Sequence, residues 1–281
     1  FWFEPSIVST FNYAVRLMEL PQGIFGISLA TYLLPTLAGL AAQKKYPEFR
    51  DILRQGLGHL AFANLIATAV AVALAEPIVR LLFERGMFGP SATHRVAIAL
   101  SCLAPGLLMF SMNNILARAF YALSDIKTPM KISVLCLALN LGFAIWLVRH
   151  FEQAKVGGEV GLAIANTMSA CINVALLTYA LRRKLSRLDM RSMGQILTVL
   201  VSDAVLAGLV AALLSRIWEH QLGHGSLPLK IGAVFVPSAV AGLVYWLVAL
   251  WLKVPAATEI TSLILRLFSR RPGSNASNGG G

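Results

Sequence analysis

Arg16 and Glu19 are the residues of this chain whose types and spacing point most directly to chemistry. They stand three apart within residues 11–40, FNYAVRLMELPQGIFGISLATYLLPTLAGL. Side chains three apart on a helix share one face, and Asn12 and Gly23 extend that face by four residues each way. An arginine in hydrocarbon costs roughly 2.5–3.5 kcal/mol, so this face calls for a wet, protein-lined cavity. Its guanidinium stays charged and presents a planar fork that can give two hydrogen bonds to the oxygens of one anion. That is the chemistry of holding a charged group and releasing it again. A plainer reading stays open, in which Arg16 and Glu19 form a structural ion pair that joins two helices.

The element that carries these residues is an apolar stretch long enough to cross a bilayer. Pro21 within it removes a helix hydrogen bond and crowds the carbonyl of Leu17, next to Arg16. A broken helix is tolerated at membrane depth where it lines a cavity. Six further stretches qualify as spans, at about 57–83, 92–122, 129–150, 158–181, 194–217 and 229–252. With 57% hydrophobic residues, 13% charged residues and a mean hydropathy of +0.70, the chain is not an ordinary soluble domain. The expected fold is an all-α polytopic bundle of about seven transmembrane helices. Short connections make neighbouring helices antiparallel.

The formal net charge is +11. The basic residues lie between apolar runs, where they orient the chain and meet anionic headgroups, and no basic stripe interleaved with aromatics speaks for nucleic acid. Fifteen lysines and arginines fall in or beside the connections around Lys44, Lys127, Arg187 and Lys253, against seven on the opposite side. That asymmetry puts the first set, and the C-terminus, in the cytoplasm. Ile260, Leu263, Ile264, Leu267 and Phe268 recur at helical spacing beside Arg266, Arg270 and Arg271, which reads as a short amphipathic helix on the inner surface over 254–270. A disordered tail is expected over 271–281. The chain lacks an initiating Met and opens FWFEP, so it reads as the C-terminal part of a longer protein.

Other polar residues in the apolar runs are secondary candidates. Glu76, Arg80 and Glu84 form an i, i+4, i+8 ladder suited to a solvated helix end. Asp125 and Thr128 before Pro129 suit a turn into the next helix. Arg118, four residues after Asn114, is placed to snorkel to the headgroups. Asn140, Asn166 and Asn173 lie mid-span and either bond between helices or line an ion or substrate site. Asp203, about ten residues into the sixth span, is either functional or a protonated acid bonded to Ser202 or to a neighbour's backbone. Cys102, Cys136 and Cys171 sit apart in separate runs, as small apolar filler. His59, His94, His150, His220 and His224 show no ligand spacing, and no Ser–His–Asp or Cys–His grouping is discernible. Neither a metal centre nor an enzyme is expected.

Three motifs, NYAVRLMELPQGIFGISLATYLLPTLAGLA, AEPIVRLLFERGMF and LARAFYALSDIKTPMKI, occur in order over roughly residues 7–183. Together they resemble the MurJ (MviN) family of lipid II flippases, in the multidrug/oligosaccharidyl-lipid/polysaccharide exporter superfamily. The resemblance implies fourteen helices in two six-helix lobes plus an extra pair, with both termini cytoplasmic. This chain would then hold helices eight to fourteen. Residues 1–183 would form the C-terminal lobe, 184–253 the extra pair that makes a groove for the lipid tail, and the partner N-terminal lobe would lie outside it.

By the same resemblance Arg16 matches the essential arginine of helix eight and Glu19 the acidic residue that accompanies it, although Val15 stands where the family often has an acid. Some members hold sodium in this lobe. Asn140 matches one such ligand and Asn166 or Thr167 another, but Ala144 replaces an acidic ligand, which makes the site vestigial. Sodium or the membrane potential would be the coupling, with no other cofactor. The implied activity is movement of lipid II, an undecaprenyl-pyrophosphate-linked disaccharide-pentapeptide, from the inner to the outer leaflet of the bacterial cytoplasmic membrane. Transport of another polyprenyl-linked glycan, or a non-transporting scaffold for cell-wall synthesis, are the alternatives.

Overall fold

The computed structural model describes residues 5–154, 157–185, 190–223 and 225–269. Side chains at 190–193 and 263–269 are outside that description, as are His224, Arg187 and the tail 271–281. The described residues form eleven α-helices and one π-helix. These are α1 (Pro5–Pro21), the π-helix (Gln22–Ile27), α2 (Ser28–Ala42), α3 (Tyr46–Ala73), α4 (Ala75–Phe83), α5 (Pro90–Leu103), α6 (Gly106–Ala122), α7 (Lys127–Gln153), α8 (Gly158–Leu185), α9 (Met190–Gln221), α10 (Leu227–Trp251) and α11 (Pro255–Ser269). Six stretches are long and apolar enough to cross a membrane, or seven when α5 and α6 count as one span bent by 49°.

The first span differs from expectation at Pro21. The helix does not break there. Pro21 ends α1, the backbone widens into the π-helix, and the whole runs unbroken from Ser6 to Ala42. Hydroxyls take up carbonyls along the widened stretch: Ser28 Oγ donates to the Gly23 carbonyl at 3.3 Å and Thr31 Oγ1 to the Ile27 carbonyl at 2.8 Å.

The second span also differs, starting at Tyr46 and stopping at Ala73 instead of running over 57–83. Pro47 suits a first helical turn, and Phe49, Leu53, Leu57 and Leu60 then form a seam buried at helical spacing. At the other end Pro77 has no N–H to offer the Ala73 carbonyl, so α3 stops and α4 sets off separately. The bend between α5 and α6 has the same kind of cause, because Pro105 cannot bond the Ser101 carbonyl. Two neighbouring helices bond the carbonyls at this bend. Thr68 Oγ1 donates to the Ala104 carbonyl at 3.2 Å and Thr167 Oγ1 to the Cys102 carbonyl at 3.4 Å.

Packing falls into three main apolar clusters. One joins α2, α3, α6 and α8 around Leu37, Phe49, Leu53 and Phe120. A second joins α3, α9 and α10 around Phe62, Leu200 and Tyr245, with α11 beneath it. A third holds α1 against α5 through Ala14, Met18, Val96 and Leu100. Large apolar side chains such as Leu137, Leu141 and Trp146 on α7 and Leu209 and Leu213 on α9 point outward, as suits helices bathed in lipid.

Candidate functional site

Ala14 and Met18 are buried on one side of α1, and Asn12, Arg16 and Glu19 are exposed on the roughly opposite side. The shared face read from the spacing is therefore present. Arg16 and Glu19 make no ion pair with each other, and no other described residue pairs with either. The structural-glue reading has no contact behind it here. The guanidinium is presented on an open face, six residues before the π-helix begins. π-turns are rare and collect at functional places.

The three asparagines lie elsewhere. Asn140 Nδ2 donates to Asn166 Oδ1 at 3.2 Å, joining α7 to α8. With Asn113, Ser133, Ser169 and Asn173 they line a cleft of about 290 Å³, in which the buried Asn173 Oδ1 has no partner. Thr167 Oγ1 donates to the Cys102 carbonyl, and Ser169 Oγ donates to the Cys136 carbonyl at 2.9 Å. Of the ligand set that the resemblance implies, the acidic member is missing here. The lining holds no carboxylate among the described residues, and Ala144 stands one turn on from Asn140. Nor do the described residues contain any cluster of three His, Cys, Asp or Glu placed to hold a metal.

Asp203 is 3% exposed and neither carboxyl oxygen has a hydrogen-bond partner among the described residues. Of the bonds considered for a protonated acid, neither that to Ser202 nor one to a neighbour's backbone is made, and the Ser202 hydroxyl donates to the Val199 carbonyl. The neighbouring Tyr245 donates its OH to the Phe62 carbonyl at 3.0 Å. Asp203 thus belongs to the α3–α9–α10 cluster, apart from the Arg16 face. Arg118 is half-buried in the last turns of α6.

Several polar contacts escape a reading of spacing alone. Asn64 and Ser111 are fully buried, with Ser111 Oγ donating to Asn64 Oδ1 at 3.0 Å and Asn64 Nδ2 to the Leu60 carbonyl at 2.9 Å. An asparagine mid-span is itself the signal for Asn64, on the same terms as Asn140. Arg95 holds the buried Glu159 through two bonds, of 2.6 and 3.0 Å, locking α5 to the start of α8. The Glu76–Arg80–Glu84 ladder forms and is larger than expected. Arg80 also reaches Glu219 on α9 at 2.6 Å, and Lys230 on α10 reaches Glu84 at 3.4 Å.

On the opposite end of the bundle Asp125 caps the turn before α7. It accepts from the Thr128 N–H at 3.1 Å, from the Thr128 hydroxyl at 2.9 Å and from Lys184 at 2.7 Å. The Lys184 bond leads in holding its carboxyl down at about 2, against an ordinary 3.8. His59 on α3 meets Glu259 on α11 at 3.0 Å, tying α11 to the bundle.

The model of the family described as lipid II flippase MurJ matches residues 1–232. A probable lipid II flippase MurJ of Rhizobium tropici is 31% identical over 86% of this chain and 44% of its own length. Its counterpart in Synechocystis is 28% identical over 95% of this chain and 49% of its own. Among solved structures, a lipid II flippase MurJ in an inward closed conformation has the same fold, with a TM-score of 0.61 at 18% identity, over 85% of this chain and 47% of its own. The chain spans about half the length of the curated relatives it matches. By its sequence and by its fold, this chain belongs to the lipid II flippase MurJ family.

Proposed function

We propose that this chain is the C-terminal lobe, with the following helix pair, of a flippase that carries lipid II across the bacterial inner membrane, and that Arg16 holds the pyrophosphate of that lipid. Residues 1–183 form the lobe, 184–253 the pair and 254–270 a cytoplasmic surface helix, with the C-terminus inside. The observation that carries the reading is the Arg16 face, which is exposed on a transmembrane helix and free of internal ion pairs. The relatives named lipid II flippase supply the substrate class. A fixed cation on a cavity wall suits a substrate that must be bound on one side and released on the other. Glu19, three residues on, puts a negative charge on the same face that limits how tightly the anion is held, and Asn12 adds a neutral hydrogen-bonding group one turn away.

The mechanism asks for no covalent step. One bundle rocks against another around the bound headgroup, while the polyprenyl tail stays in lipid. An apolar groove of about 540 Å³ between α3, α6 and α9, lined by Leu65, Val72, Leu108, Val201 and Leu209, has the character such a tail requires. Alternating access needs two lobes, so this chain alone, reconstituted in vesicles, should not translocate fluorescent lipid II. Joined to its N-terminal lobe it should. Translocation by the chain alone would overturn the proposed division of labour.

A further inference from the structure

The two buried seams of the first span do not line up on a regular α-helix. In α1 the seam is Ala14 and Met18, and in α2 it is Ala30, Leu33 and Leu37. At 100° per residue the second seam would stand roughly 60–120° round the helix from Met18. Yet α1 packs on α5, and the π-helix and α2 pack on α6. The first span therefore runs alongside the bent α5–α6 span and needs both seams on one side. A π-turn holds one residue more than an α-turn, a lag of about 100°. The widened turn absorbs the offset.

The turn is seated at Gly26, which is buried and lies so close to α6 that a Cβ there would stand 2.9 Å from Ser111 Oγ. Ser111 is in turn held by Asn64, inside a fully buried polar pair. A Cβ at Gly23 would meet nothing within 4 Å, so that side of the turn is open.

We infer that the π-helix is a phase element: the extra residue it absorbs keeps both seams on one side of the span and so aims Asn12, Arg16 and Glu19 away from the core, with Gly26 and Ser111 as its positioning residues. Closing the turn to α with its residues unchanged would swing the Arg16 face by about 100° relative to α2. The consequence for transport rests on the reading of Arg16 proposed above. The phase itself does not depend on that reading.

The test is a spin-label distance between Leu20 on α1 and Ser91 on α5, both exposed. It is measured in the full chain in lipid vesicles, with Cys102, Cys136 and Cys171 replaced by alanine. Deleting Gly23 removes the extra residue and lets a plain α-helix keep the phase, so the distance should hold to about 1.5 Å, the rise of one residue. Inserting an alanine after Gly23 adds a second extra residue and should move the label by about 5 Å. Gly26→Ala should also shift the distance, and Gly26→Ala with Ser111→Gly should restore it. Equal shifts on deletion and insertion, or no shift in Gly26→Ala, would overturn the inference. If the deletion variant does not accumulate, the Gly26 and Ser111 variants decide by themselves. Because no arm changes Arg16, failure of the flippase reading would leave these distances as expected.

Discussion

The carboxamide of Asn140 donates to that of Asn166 across 3.2 Å, joining α7 to α8 along the most extensive helix pair in the bundle. The bond is interhelical, so it adds to packing that small residues already allow. Bonds of this kind between membrane helices contribute about 0.6 kcal/mol and rarely more than about 1.7. A double-mutant cycle on Asn140→Ala and Asn166→Ala, read from unfolding in mixed micelles, should return a coupling in that range. A coupling near zero would mean that each amide finds other partners.

At the Lys184–Asp125 contact the folded state holds the acid at about 2, below its ordinary 3.8. The folded pKa is depressed, so the stabilisation is fully present above pH 3.8 and is lost as pH falls through about 2. The join between α6, α7 and α8 should therefore loosen in that acid window. Asp125→Asn should be weaker at neutral pH and flat across the window, as followed by proteolysis at the connection. A variant as acid-sensitive as wild type would place the titration elsewhere.

Arg80 is the hub that three glutamates share. Arg80→Ala leaves Glu76, Glu84 and Glu219 together, with Lys230 still paired to Glu84. Loss of the hub should cost about 1–3 kcal/mol, more than Glu219→Gln, and should detach α4 from the ends of α9 and α10. Hydrogen exchange over Ala75–Phe83 is the measurement. Equal effects from the two substitutions would show that α4 is held by its apolar face alone.

Much of this architecture is legible in the sequence, and what is not has physical reasons. Apolar length and the Arg16–Glu19 spacing by themselves locate the spans and the candidate face. Pro77 and Pro105 are legible as breaks too, but hydropathy averages across them and merges α3 with α4. Glu219 and Lys230 lie more than 130 residues from their partners, and no local pattern reports a pairing at that separation. The π-helix is the least legible feature. Pro21 marks the spot, but the widened turn follows from a mismatch between two buried seams, and which residues are buried is known only once the neighbours are in place.

The topology has its own test. Gln43 and Ala154 are exposed in connections at opposite ends of the bundle. With the three native cysteines removed, a cysteine at Gln43 should resist a membrane-impermeant maleimide in intact cells and one at Ala154 should react. The reverse pattern would invert the orientation read from the positive charges.

Complementation of a flippase-depleted strain by Arg16 and Glu19 variants of the two-lobe protein tests whether Arg16 holds the substrate. If Arg16 grips a pyrophosphate, lysine lacks the bidentate fork and alanine lacks the charge. Arg16→Lys should then grow poorly and Arg16→Ala not at all, with both proteins at normal levels in the membrane. Glu19→Gln should slow growth, and removing both charges together should leave the cells inviable. Growth of the double variant at the wild-type rate would contradict the account, because it would make Arg16 the partner of Glu19 and not the holder of a substrate.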